Sequence, residues 1–135
     1  MEVTPMHPSN SIPSSARVPL VLRTLSALGA VLCALAVAMG AYAAHAAVDS
    51  AGERLTTASS YLFLHGLSLA IFAVRQRGFL AFLSLLLWVF GCIAFCGSLA
   101  LAALAGTSTA IAPIGGSAFI LGWLCRAICL MRGDS

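Results

Sequence analysis

The stretch FLAFLSLLLWVFGCIAFCGSLALAALA, Phe79 to Ala105, decides the fold. It holds no charged side chain, and as an α-helix it would extend about 40 Å, more than the ~30 Å hydrocarbon core of a bilayer. In hydrocarbon, backbone groups must be satisfied inside the segment or by the strands of a closed barrel. Barrel strands alternate inward and outward residues over about 10 positions, whereas this run is apolar almost throughout. It predicts a transmembrane helix.

Three further apolar runs flank it: Leu20 to Ala44, about Ser59 to Val74, and a last one ending near Leu130. The expected architecture is therefore all-α, an integral membrane bundle of four transmembrane helices over about 20–44, 59–74, 79–105 and 111–130, inside a domain of residues 19–131. Residues 1–18, with Pro5, Pro8, Pro13 and several serines, predict a disordered cytoplasmic tail, and residues 132–135 a short polar one. Ala46 to Thr57 reads as a loop carrying Asp49, Glu53 and Arg54, and Arg75-Gln76-Arg77-Gly78 as a tight polar turn. Gly106-Thr107-Ser108-Thr109 is a small uncharged turn, and Pro113 lies just inside the fourth run, where its missing N–H does least harm. Ala44-His45-Ala46 also fits a signal-peptidase site. Signal h-regions run about 7–15 residues, however, so the much longer first run is expected to stay as a mature helix.

Composition agrees. Hydrophobic residues make up 61% of the chain and charged residues 8%, against about 25% charged in a soluble domain. There are too few charges to cover a globular surface. The net charge of +3 comes from dispersed arginines with no interleaved basic and aromatic stretch, which argues against a nucleic-acid partner. The arginines read instead as topology signals. Arg17, Arg23, Arg75, Arg77, Arg126 and Arg132 fall on one side of a four-pass protein and Arg54 alone on the other. The arginine-rich side should be cytoplasmic, giving an N-in/C-in orientation, and the expected location is a bacterial inner (plasma) membrane.

Helices in lipid associate through small residues that permit close approach. Stripes at helical spacing occur at Ala27, Ala30, Ala34, Ala38 and Ala41; at Gly91, Ala94, Ser98 and Ala102; and at Gly115, Ala118, Gly122, Cys125 and Cys129. Gly91, Gly97, Pro113, Gly115, Gly116 and Gly122 are the expected helix-packing positions.

Polar side chains inside such helices are functional candidates. His45 continues the first alanine stripe and is expected to face the bundle, with Tyr42 a turn below; Tyr61, His65, Ser68 and Phe72 share a face of the second helix. Together with Ser98 and Ser117, these residues predict a polar cluster of His45, His65, Tyr61, Tyr42, Ser98 and Ser117 in the outer half. Histidine titrates near neutral pH and binds metal, yet the competing reading is hydrogen-bond glue between helices. Two histidines without a spaced third ligand predict no metal site. The cysteine pairs, Cys92 with Cys96 and Cys125 with Cys129, read as small packing residues rather than disulfides or redox motifs. Arg126, about a turn from the end of the fourth helix, is expected to snorkel to lipid phosphate. No carboxylate lies in the expected helices, and no phosphate loop, nucleophile elbow or H-E-x-x-H is present. No catalytic residue and no cofactor are expected.

GAYAAHA (Gly40 to Ala46), YLFLHGLSL (Tyr61 to Leu69), FCGSLALAALAG (Phe95 to Gly106) and APIGGSAFILGW (Ala112 to Trp123) occur in order, one per helix. In these the chain resembles the small membrane proteins of YgdD and YwdK type, a family catalogued as a domain of unknown function. The resemblance implies a four-helix bacterial inner-membrane protein. It carries the family's histidine onto His45, its Y-x-x-x-H onto Tyr61 and His65, its G-S-L onto Gly97, Ser98 and Leu99, and its P-I-G-G onto Pro113 to Gly116. Ala43, Cys96 and Ala112 depart from the usual glycine, serine and threonine, which thins the polar cluster. The family supplies no established activity. The expected function is therefore non-enzymatic, acting through packing as a homo-oligomer or beside a larger membrane complex, with the lipid bilayer as a further partner. The alternative is a small transporter or channel with a polar half-cavity around His65 and His45.

Overall fold

The structure, a computed structural model, describes residues 18–45, 47, 49–75 and 78–133. Of the tail expected over residues 1–18, all but Val18 lies outside them, as do Gln76 and Arg77 of the expected polar turn. Four helices follow one another: α1 (Leu20–His45), α2 (Asp49–Arg75, its last turn a 3₁₀ turn over Ala73–Arg75), α3 (Phe79–Ala105) and α4 (Ala112–Arg132). Each is long and apolar enough to cross a membrane, and no strand occurs among the described residues. The fold is an all-α membrane bundle.

The second helix begins well before the expected Ser59. Residues 49–57 are not a loop: α2 is helical from Asp49, itself at a left-handed φ of 53°. Hydropathy marks the edge of the hydrocarbon, not the end of the helix. The first two turns of α2 project into the wet interface, where Glu53 and Arg54 stay exposed. There Thr56, Thr57 and Ser60 hydroxyls donate to carbonyls one turn back. Asp49 and Glu53 thus do lie in a helix, contrary to expectation, at the N-terminal end that favours acids.

The bundle is two hairpins. α1 packs along α2, and α3 packs along α4, with α2 laid against α3. Within the first hairpin two glycines bring backbones together. A Cβ at Gly66 would come within 2.9 Å of the Gly29 carbonyl oxygen, and one at Gly29 would collide with the backbone of Gly66 and Ala70. At this separation short side chains bridge the helices. Ser26 donates to the Ala70 carbonyl at 2.6 Å, and Ser59 to the Ala36 carbonyl at 2.7 Å.

The first hairpin therefore overturns the expected packing face of α1. Ala27, Ala30, Ala34, Ala38 and Ala41 are all exposed, and the buried residues are Gly29, Ala36 and Ala43. The reason is steric. Glycine admits a neighbouring backbone where alanine does not, so the face carrying Gly29, opposite Gly66, packs more closely than the alanine stripe can.

In the second hairpin Gly91, Ala94, Ala102, Gly115, Ala118, Gly122 and Cys129 are buried, with Ser98 and Cys125 partly so. Gly91 faces the Phe119 ring and Gly122 the Trp88 indole, each with no room for a methyl group. Gly115 lies against the backbone of Ala94 and Phe95. That backbone belongs to a π-type turn over Cys92–Cys96, in which the Gly97 N–H reaches five residues back to the Cys92 carbonyl. The wider turn pushes the chain outward into the space Gly115 leaves. The other expected packing positions behave differently. Gly97 has nothing nearer than 4.0 Å to where a Cβ would sit, Gly116 has only ordinary contact with the Phe95 ring, and Pro113 is exposed in the first turn of α4.

Gly66→Leu and Gly115→Leu should each destabilise the bundle by about 1–3 kcal/mol or more, the cost of overpacking a close contact. Gly97→Ala should be neutral or gain up to about 1 kcal/mol from helix propensity. Reversible unfolding in mixed micelles on titration with a denaturing detergent measures the difference.

Candidate functional site

The most concentrated polar and aromatic grouping in the described bundle centres on His65, about 24 Å along α2 from its start at Asp49. The ring is 2% exposed. Its Nδ1 lies 2.8 Å from the Tyr61 carbonyl oxygen, one turn back on the same helix. A carbonyl only accepts, so Nδ1 carries the proton. Nε2 is then left as an acceptor, and the Trp123 indole N–H donates to it at 3.1 Å from α4. Both ring nitrogens are engaged, in the neutral tautomer. The imidazole also stacks on Phe119, centroids 3.6 Å apart and 16° from parallel. Tyr61 lies nearly parallel to it, Trp88 and Trp123 meet it edge-on, and the two indoles pack at 4.6 Å. Three helices meet at this ring, and its hydrogen bond joins one hairpin to the other.

Nearby, Arg126 is also 2% exposed, with its guanidinium 4.3 Å above the centroid of the Phe72 ring. It does not snorkel to lipid phosphate as expected. Phe72 lies in the closing turns of α2, so the cation sits at the partially negative end of that helix and on an aromatic face. Both effects offset the cost of keeping a charge in the membrane. Ser68 and Ser84 are buried and donate within their own helices, to the Leu64 and Ala81 carbonyls. The Trp88 N–H finds no acceptor among the described residues.

The expected polar cluster does not assemble as one. Tyr61 and His65 stand together. His45 is exposed at the end of α1, because the stripe it continues faces outward. Tyr42 is 48% exposed and borders an apolar groove. Ser98 and Ser117 hydroxyls turn back to the Phe95 and Pro113 carbonyls of their own helices. Among the described residues no group of three or more metal-ligating side chains comes together. Sequence reasoning missed Trp88, Phe119 and Trp123. The signal was present: Phe119, Trp123 and Arg126 recur at helical spacing on α4, but nothing ties that face to His65 on a helix some sixty positions earlier.

His65→Phe keeps the stacking on Phe119 but leaves the Trp123 N–H without its acceptor. It should cost about 0.6–1.7 kcal/mol, the range for hydrogen bonds between membrane helices. Trp123→Phe should cost a similar amount, and the double variant little more than either alone. Unfolding of the set as a double-mutant cycle, read by tryptophan emission from Trp88, measures the coupling.

Comparison with known proteins places the chain in a family. The model of the family described as "Protein of unknown function (DUF423)" matches residues 39–116. A UPF0382 membrane protein of Staphylococcus epidermidis is 33% identical over 120 residues, covering 78% of this chain and 93% of its own. Another, of Haemophilus influenzae, is 35% identical over 113 residues, covering 77% and 88%. No solved structure matches the chain. With four membrane-spanning helices and relatives of nearly equal length, the chain belongs to the DUF423 family of small multi-pass membrane proteins, whose function is unknown.

Proposed function

We propose that the protein is a non-enzymatic membrane component that works by helix packing, as a homo-oligomer or as an accessory subunit of a larger membrane complex. The observation that carries this reading is the outward face of α1. Ala27, Ala30, Ala34, Ala38 and Ala41 form an exposed stripe of methyl groups, and α1 is the least buried of the four helices. A lipid-facing helix has no need of small residues; a helix that receives another helix does. The bundle uses Gly29, Gly66, Gly91, Gly115 and Gly122 for its internal contacts and leaves this alanine face exposed.

The transport alternative finds less support. Ser98 and Ser117 engage their own helices and both nitrogens of His65 are taken. A proton arriving at Nε2 would compete with the Trp123 N–H for the same lone pair. For orientation, the arginine bias supports an N-in/C-in arrangement. Arg126 carries less of that argument than its count suggests, since it is buried between helices.

In a cysteine-free background, Ala34→Cys and Ala38→Cys should crosslink in native membranes to a second copy or to another membrane protein. Ala30→Leu with Ala34→Leu should weaken that association by about 1–3 kcal/mol, as overpacking does, without lowering the stability of the monomer. Uncrosslinked monomer at every position along the stripe would defeat the proposal.

A further inference from the structure

The two hairpins leave a gap. α1 touches α2 closely but does not pack along α3, and between α1 and α3, floored by α2, runs a groove of about 670 Å³. Its lining is apolar from end to end. On α1 it extends from Leu28 to Tyr42, on α3 from Val89 to Leu104, and Leu62 lies on its floor.

Its position in depth is informative. Val89 stands about 15 Å from the start of α3 at Phe79, near the midplane of a ~30 Å core, and Leu104 stands at the far end. The groove therefore occupies the half of the membrane that borders the α1–α2 turn. It is about one leaflet tall. A transmembrane helix from a second copy would need the full height. The groove is also continuous with the lipid-facing surface, so hydrocarbon enters it without crossing any polar layer.

Two residues shape it for a chain with a polar end. Gly97 lines the groove beside Ala100, and a Cβ there would meet nothing nearer than 4.0 Å. The absent side chain makes room in the groove, not a helix contact. At the wet end Tyr42 is half exposed, its hydroxyl at the level of headgroups and ester oxygens, where tyrosine is enriched in membrane proteins.

We propose that the groove between α1 and α3 is a lipid site that holds a single acyl chain of a phospholipid from the leaflet bordering the α1–α2 turn, with Tyr42 at the headgroup. The site is distinct from the alanine stripe, which lies on another face of α1.

The test uses the full chain in bilayers containing phosphatidylglycerol with a photoactivatable diazirine in its acyl chain. After irradiation, label should concentrate on the Leu28–Tyr42 and Val89–Leu104 peptides. It should be lost from them in the Gly97→Leu/Ala100→Leu double variant, which fills the groove. It should persist in Ala127→Leu, which adds a leucine to an exposed face of α4 away from the groove. Unchanged tryptophan emission from Trp88 and Trp123 certifies that the filled variant is folded; if it is not, the wild-type label map decides alone. Even labelling of all four helices, label that survives filling, or a second protein chain crosslinked in the groove would each overturn the proposal.

Discussion

In hydrocarbon, a helix gains nothing by turning apolar side chains toward another helix, because lipid offers the same contact. What remains is dispersion at short range and hydrogen bonds whose alternative is no partner at all. The bundle uses both in the same places. Gly29 and Gly66 let α1 and α2 approach backbone to backbone. Only at that separation can the short hydroxyls of Ser26 and Ser59 reach carbonyls on the opposite helix. Close approach comes first, and the hydrogen bonds follow from it. The second hairpin repeats the device with rings in place of hydroxyls, glycine opposite Phe119 and glycine opposite Trp88.

His65 and Arg126 would each be costly in this solvent alone. Each is held by groups that only folding assembles. The imidazole needs its own helix for one nitrogen and α4 for the other, and the guanidinium needs the α2 terminus and the Phe72 face. Polar groups in the middle of a membrane protein invite a functional reading, but here their geometry is that of fastening.

The number, type and order of the helices were legible because span length is a one-dimensional property. The apolar runs could be measured directly against bilayer thickness. The start of α2 was not, since helicity continues past the hydrocarbon edge where hydropathy stops reporting it. Which face of α1 turns inward was not legible either. A helix apolar all round carries no moment to orient it, and choosing alanine over the rarer glycine at position 29 pointed outward. The glycines at 91, 115 and 122 were identified because the second hairpin has no rival stripe. His65 was identified as a candidate, but its partner was not: no spacing rule connects an imidazole to an indole two helices later. Arg126 was misread because sequence gives its depth and not its direction.

The π-type turn at Cys92–Cys96 has a consequence for how this chain can change length. In an ordinary helix, losing one residue rotates everything beyond it by about 100°, which would carry Leu99 and Ala102 out of the core. A π-type turn already contains one residue more than an α-turn needs. Deletion there removes the surplus and leaves the segments on either side facing as before. Variation in length by one residue can therefore be absorbed at this point of α3 without re-aiming either half, provided that the residue opposite, Gly115, is then free to grow into the space that the wide turn vacates.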